Sequence, residues 1–207
     1  VFKNIDINLA KGDKVVVYSK DSRASSLFYE ILNKNEKADS GKFAWGITTT
    51  QSYLPLDNSK FFQNKLTLVD WLRQYAKTEE ELEEVFLRGF LGKILFSGEE
   101  ALKMSNVLSG GEKVRCMLSK MMMERANVLL LEEPTNHLDL ESITAFNNSL
   151  NNFKGTLLFS TSDHAFAQTL GTRIIELTPK GIIDRHATFD EYMTDTNIRV
   201  LREKMLG

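Results

Sequence analysis

Two short blocks of this sequence carry residue types that do chemistry. The first is Leu108-Ser109-Gly110-Gly111-Glu112-Lys113, at the head of a segment that is apolar at Val114, Met117, Leu118, Met121 and Met122. That spacing is helical. Glycines at a helix start let backbone N–H groups approach an anion closely, Ser109 adds a hydroxyl donor, and the helix end adds partial positive charge. Taken alone, the same residues also read as a plain glycine-rich cap. The second block decides between the two readings. It begins about 20 residues downstream, as Val128-Leu129-Leu130-Leu131-Glu132-Glu133-Pro134-Thr135-Asn136-His137-Leu138-Asp139. An apolar strand ending in two adjacent carboxylates and a proline is a place to hold Mg²⁺ and activate a water.

These blocks need a scaffold, and its elements are legible on either side. Residues 1 to 9 alternate like a strand, turn at Lys11-Gly12-Asp13, and lead into Val15-Val16-Val17. A continuous β-branched run of this kind marks a strand buried on both faces. After a polar stretch over 19–26, Leu27, Phe28, Ile31 and Leu32 recur at helical spacing, and two short strands are expected over 41–54, ending at Pro55. Residues 60–105 change character. Leu66, Val69, Trp71 and Leu72 predict one helix, and 79–87 a second with its glutamates on a solvated face. This region is expected to be a helical subdomain inserted in the core. Phe61, Phe62, Trp71 and Phe90 read as its packing. A long helix from 109 to about 125, a strand over 128–131, a helix over 140–152 and a strand over 156–160 follow. A hairpin of 174–177 with 182–183 turns at Pro179-Lys180-Gly181, and Thr188 with Glu191 forms a capping box. Strands alternating with helices predict an α/β fold with a largely parallel sheet covered on both faces. The first 55 residues should add an antiparallel β edge.

The chain has 207 residues, enough for one domain or two closely merged subdomains with an ample core and no need of a staple. Its 26 basic and 28 acidic residues leave a net charge of −2, which argues against binding by nonspecific phosphate attraction. The single cysteine, Cys116, excludes a disulfide framework and fits a reducing compartment. No stretch approaches the roughly 20 apolar residues of a membrane span. The chain opens at Val1 directly into strand-like alternation with no signal peptide, and reads as a piece of a longer protein.

Together the two blocks resemble the ATP-binding cassette (ABC) superfamily, in order and over essentially the whole chain. The first is similar to its signature motif, the second to a Walker B strand running into a D-loop. The wording Pro134-Thr135-Asn136-His137-Leu138-Asp139 is similar to the ABC-F subfamily, which carries two cassettes per chain and no membrane domain. The resemblance implies ATP and Mg²⁺ as cofactors and a second cassette, in the same chain or a dimer, as partner. It further implies a cytoplasmic protein working with the ribosome, its rRNA and tRNA. By the same resemblance Ser109, Gly110, Gly111 and Glu112 face nucleotide, Gln51 is the Q-loop ligand of Mg²⁺, Glu133 polarises the water, Phe2 stacks on adenine or packs in the core, and His137 is structural.

The chain departs from the family in one half. A phosphate loop reads G-x-x-x-x-G-K-[ST] between strand and helix. The corresponding residues are Tyr18-Ser19-Lys20-Asp21-Ser22-Arg23-Ala24-Ser25-Ser26. Both glycines are gone, Ala24 is read in the lysine's place, and Ser25 as the residue that meets Mg²⁺. Arg23 offers a cation one position early, and Asp21 puts an anion where one is to be bound. Glu132 replaces the Walker B aspartate, and Ser162 stands in place of the switch histidine, with His164 two residues on. Expected from this is a cassette with an impaired Walker half that donates its signature to ATP held by a partner. The alternatives are a non-hydrolytic pseudo-ATPase scaffold and the ATPase domain of a membrane transporter.

Overall fold

A computed structural model describes all residues, 1–207. The chain divides into two compact units, one formed by 1–55, 127–134 and 147–207, the other by 56–126 and 135–146.

The first unit is built on a six-stranded sheet. Its strands are β1 (Lys14–Ser19), β2 (Gln51–Leu54), β3 (Val128–Glu132), β4 (Thr156–Ser160), β5 (Arg173–Thr178) and β6 (Gly181–Arg185), in the spatial order β2-β3-β4-β1-β5-β6. All neighbours are parallel except β5 and β6. The interior strands are the continuous apolar runs, as a sheet covered on both faces requires. Every residue of β4 and β5 is buried. Helix α1 (Ser22–Leu32) packs its Phe28 and Tyr29 into a core with Val15, Val17, Tyr53, Leu130, Leu158 and Ile175. Closing the unit are α7 (His164–Leu170), α8 (Phe189–Thr194) and α9 (Thr196–Leu206), with the Thr188/Glu191 capping box in place on α8.

Residues 1–10 form no strand, and neither do 41–49, so the antiparallel edge expected from the first 55 residues is absent there. The antiparallel pair is β5–β6 instead. The alternation at the start does select a face: Phe2, Ile5, Ile7 and Leu9 lie against the core while Lys3, Asp6 and Asn8 are exposed. Asn4 at φ +55° breaks the extended run. The segment is held instead by Arg173, which donates to the Asn8 carbonyl and pairs with Asp13 and Asp184.

The second unit is helical. It contains α2 (Leu68–Arg73), α3 (Glu79–Leu82), α4 (Glu84–Lys93), α5 (Gly110–Glu124) and the start of α6 (Leu140–Asn152), which continues into the first unit. Trp71 stacks on Phe62 at 4.8 Å and donates its indole N–H to the Phe61 carbonyl. The single helix expected over 79–87 is two, broken where Glu83 adopts extended backbone (ψ 134°). The glutamate run is not wholly solvated either. Glu81 is buried, accepts the Lys77 N–H and pairs with Arg125 at 2.9 Å, so its charge fixes the turn between α2 and α3. No helix is long and apolar enough to cross a membrane.

Candidate functional site

The carboxylate pair lies at the C-terminal end of β3, where open parallel sheets place their ligand sites. Glu132 is opposite Ser160 on β4 and is buried. Its Oε1 accepts the Ser26 hydroxyl of α1, and its Oε2 accepts the Tyr53 phenol of β2 at 3.0 Å. The same phenol lies 3.2 Å from Glu30 of α1. Tyr53 also stacks near Tyr29, with ring centroids 6.1 Å apart. Burial first, then the two neighbouring carboxylates, hold the Tyr53 phenol firmly protonated.

Ser26, Tyr29 and Glu30 share one helical face by i, i+3, i+4 spacing, and that face meets Glu132 and Tyr53. This corrects the register of the loop. Ser26, not Ser25, stands against Glu132; Ser25 is buried one position earlier, about 100° round the helix. Counting back through G-x-x-x-x-G-K-[ST] from Ser26 puts Ser25, not Ala24, at the lysine's position, with Ser19 and Ala24 at the glycines.

Gln51 is also misplaced by the sequence reading. It opens β2, opposite Val128, four residues of β3 before Glu132 and so roughly 13 Å away at ~3.3 Å per residue. Its amide donates to Thr49. The end of β2 nearer the carboxylates is Leu54, followed by Pro55. Phe2 packs edge-on against Phe28 at 6.2 Å, a core aromatic rather than an exposed platform.

Between β1 and α1 no residue has positive φ, so the backbone makes no left-handed wrap. Asp21 caps α1 instead. Its carboxylate accepts the Arg23 N–H at 3.0 Å and the Arg23 guanidinium at 3.2 Å through both Nε and Nη2. That hydrogen bonding holds the Asp21 carboxyl below its ordinary range. Ser22 is the first helical residue, and Arg23 is exposed.

Glu133 sits in left-handed backbone at φ +46°, unusual for a residue with a Cβ. Its N–H donates to the Ser160 carbonyl, and its Oε2 accepts both the N–H of Ser162 at 2.9 Å and the Ser162 hydroxyl at 3.1 Å. The structure thus brings Glu133 and Ser162 together. His164 points elsewhere, pairing with Asp190 at 2.6 Å.

The glycine block belongs to the helical unit. Ser109 caps α5: its hydroxyl accepts the Glu112 N–H while Glu112 accepts the Ser109 N–H, a complete capping box. Lys103 pairs with Glu112 at 2.7 Å, and chiefly through that bond the Glu112 carboxyl is pushed down to about 2. The box leaves the N–H groups of Gly110 and Gly111 at the open helix end. His137 explains the glycines. It is itself left-handed, at φ +65°, and a Cβ on Gly111 would fall 2.3 Å from its carbonyl oxygen. A Cβ on Gly110 would lie 3.0 Å from its ring. Asp139 then caps α6 by accepting the Ser142 N–H at 2.7 Å.

Sequence reasoning missed Tyr53, and it placed Ser26 in the phosphate loop without pairing it with Glu132. A tyrosine in a short strand was the available signal, because a buried phenol needs a polar partner.

The ABC transporter family matches residues 2–136. Among curated relatives the chain is 52% identical over 200 residues to the uncharacterized ABC transporter ATP-binding protein YkpA of Bacillus subtilis, covering 96% of this chain and 37% of that protein. It is 27% identical over 195 residues to the energy-dependent translational throttle protein EttA of Escherichia coli, covering 91% of this chain and 34% of that one. The chain thus spans about a third of the length of these relatives. Among solved structures it is similar to the dimeric ATP-binding cassette MJ0796 in a post-hydrolysis state bound to ADP and Pi. The TM-score is 0.73 at 17% identity, covering 89% of this chain and 90% of that one, a likeness of fold.

Proposed function

From the premise that the chain belongs to the ABC transporter ATP-binding family, we propose that it is an asymmetric cassette. It donates its signature, Ser109, Gly110 and Gly111, to ATP held by a partner cassette, and binds little Mg-ATP through its own Walker half. ATP-binding cassettes of this family bind ATP with Mg²⁺ and pair with a second cassette.

One observation carries the reading: the two halves differ in what their donors and acceptors are already doing. At α5 the N–H groups of Gly110 and Gly111 are unspent, and the close approach of His137 leaves no room for a Cβ on Gly111. At the sheet, the residues do not fit the cation. Both oxygens of Glu132 accept hydrogen bonds from within the chain, one of them from Ser26 itself, and no glutamine stands at that end of β2. Nor do they fit the triphosphate, since no glycine wraps it, no lysine grips it, and the Asp21 carboxylate lies at the α1 cap. Ser22, Arg23 and Ala24 supply nothing equivalent, because Arg23 is engaged with Asp21. Glu133 therefore has no metal-held nucleotide beside it in this half to act on. Its hold by Ser162 keeps the carboxylate hydrogen-bonded without a histidine.

The wording Asn136-His137 and the likeness to EttA, named as a translational throttle, support an ABC-F-like, second-cassette assignment. The wider proposal is a cytoplasmic protein acting with the ribosome and its RNAs.

The test is ATP turnover by the full-length protein. Ser109→Ala removes one charge-assisted hydrogen bond to phosphate, worth about 1.5–3 kcal/mol, so kcat/KM should fall roughly 10- to 150-fold. Turnover unchanged by Ser109→Ala, or robust turnover by this chain alone that Glu133→Gln abolishes, would defeat the reading. A signature silent in the full-length protein would favour the scaffold alternative.

A further inference from the structure

The carboxylate at the end of β3 does more than fail to suit a cation. We infer that Glu132, Ser26 and Tyr53 form a metal-independent clasp, in which the Tyr53 phenol occupies the carboxylate oxygen a divalent ion would take and ties α1 permanently to β2 and β3. The inference rests on the reading above, that this half carries no Mg-ATP, and extends it to how the half behaves through a nucleotide cycle.

The geometry is closed on every side. Glu132 is 4% exposed and Tyr53 is 8% exposed, so neither carboxylate nor phenol exchanges freely with water. Ser26 donates to Oε1 and Tyr53 to Oε2 at 3.0 Å, which satisfies a buried anion with two hydroxyl protons. Glu30, one turn after Ser26, approaches the same phenol at 3.2 Å, so two residues of α1 reach the clasp from one helical face. Tyr29, between them in sequence, stacks against Tyr53 and is itself fully buried. No group of three or more His, Cys, Asp or Glu side chains capable of holding a metal ion is present in the chain. A divalent ion would have to displace a hydroxyl from each oxygen it used and would leave the Tyr53 phenol only its longer contact with Glu30.

The consequence is conformational. Where a cation bridges helix and strand, that contact comes and goes with the nucleotide. A hydroxyl clasp stays made, so α1 remains docked on the sheet whatever the partner cassette holds.

The experiment is hydrogen exchange on the full-length protein, followed in peptides covering 22–32 and 128–133, in EDTA and in 10 mM Mg²⁺ without nucleotide. Wild-type exchange in both peptides should be the same in the two conditions. Tyr53→Phe should speed exchange in both peptides by about fivefold or more with Mg²⁺ present or absent, since it removes a hydrogen bond from a buried carboxylate. Glu132→Gln, which keeps an acceptor and adds a donor, should speed exchange less. Protection that depends on Mg²⁺ in the wild type and disappears in Glu132→Gln would overturn the clasp and install a metal ligand. Unchanged exchange in Tyr53→Phe would also overturn it. Neither result bears on Ser109, whose test is turnover, so the clasp and the signature proposal fail separately.

Discussion

Two helix starts in this chain, α1 and α5, have the same local problem and solve it differently. Each leaves N–H groups without intrahelical partners, and each is capped by a side-chain oxygen from the residue just before it. At α5 the cap is the neutral Ser109, and the balancing carboxylate of Glu112 is drawn off to Lys103. At α1 the cap is Asp21 itself, an anion with Arg23 folded back on it. The first arrangement leaves the helix end ready for a ligand's negative charge. The second supplies that charge from the chain. Local sequence, and not the helix dipole that both share, decides whether a helix start is capped by a neutral or a charged group.

The difference can be broken most severely at Gly111. An alanine there would place its Cβ 2.3 Å from the His137 carbonyl oxygen, a backbone atom that cannot rotate away. The expected loss of stability is about 3 kcal/mol, at the upper end for forced overpacking. Thermal unfolding should show it as a fall in Tm of roughly 6–12 °C. Ala24, at the corresponding region of α1, should tolerate glycine with only the roughly 1 kcal/mol penalty of a flexible helical residue. Similar losses at the two positions would mean the glycines of α5 serve flexibility and not the approach of His137.

The next largest effect concerns the cap of α1. Asp21→Ala removes the acceptor of the Arg23 N–H and should lower Tm by a few degrees. Asp21→Asn keeps a competent cap and should leave Tm nearly unchanged, because Asn and Asp cap comparably. Equal losses in the two variants would show that the charge pair with Arg23, and not the cap, holds this end.

The start of α5 and the strand β3 were legible as sequence, the one from a serine and two glycines heading a helical pattern and the other from an unbroken apolar run. The start of α1, by contrast, lay inside a polar stretch. What the sequence left open was phase. Ser25 and Ser26 are adjacent and alike, and only the start of α1 at Ser22 decides which faces Glu132. Gln51 looked like a strand end and is one, but the wrong end, because strand direction is set by pairing with β3. Residues 1–10 alternate because one face packs on the core, and alternation alone does not supply a neighbouring strand. The Tyr53–Glu132 contact joins residues 79 apart in the sequence, so no local pattern announces it.

The smallest expected effect tests the neutral cap through pH. Glu112 is held ionised by Lys103 and by the N–H and hydroxyl of Ser109, its carboxyl pushed down to about 2 from an ordinary value of 4.5. A carboxylate whose folded value is depressed contributes stability that is present above its unfolded value and lost as pH falls through the folded one. The contribution should therefore be intact at pH 6 and decline between about pH 4.5 and pH 2. Glu112→Gln keeps an acceptor at the third helical position, so the capping box survives while the titration and the Lys103 ion pair do not. Comparison of Tm from pH 6 to pH 2.5 should show the wild type losing its advantage over Glu112→Gln as the pH drops, with the two converging at the acid end. Parallel curves would mean that Glu112 works at the start of α5 as a hydrogen-bond acceptor alone, and that Lys103 does not stabilise its charge. The neutral and anionic helix ends would then differ only in Asp21.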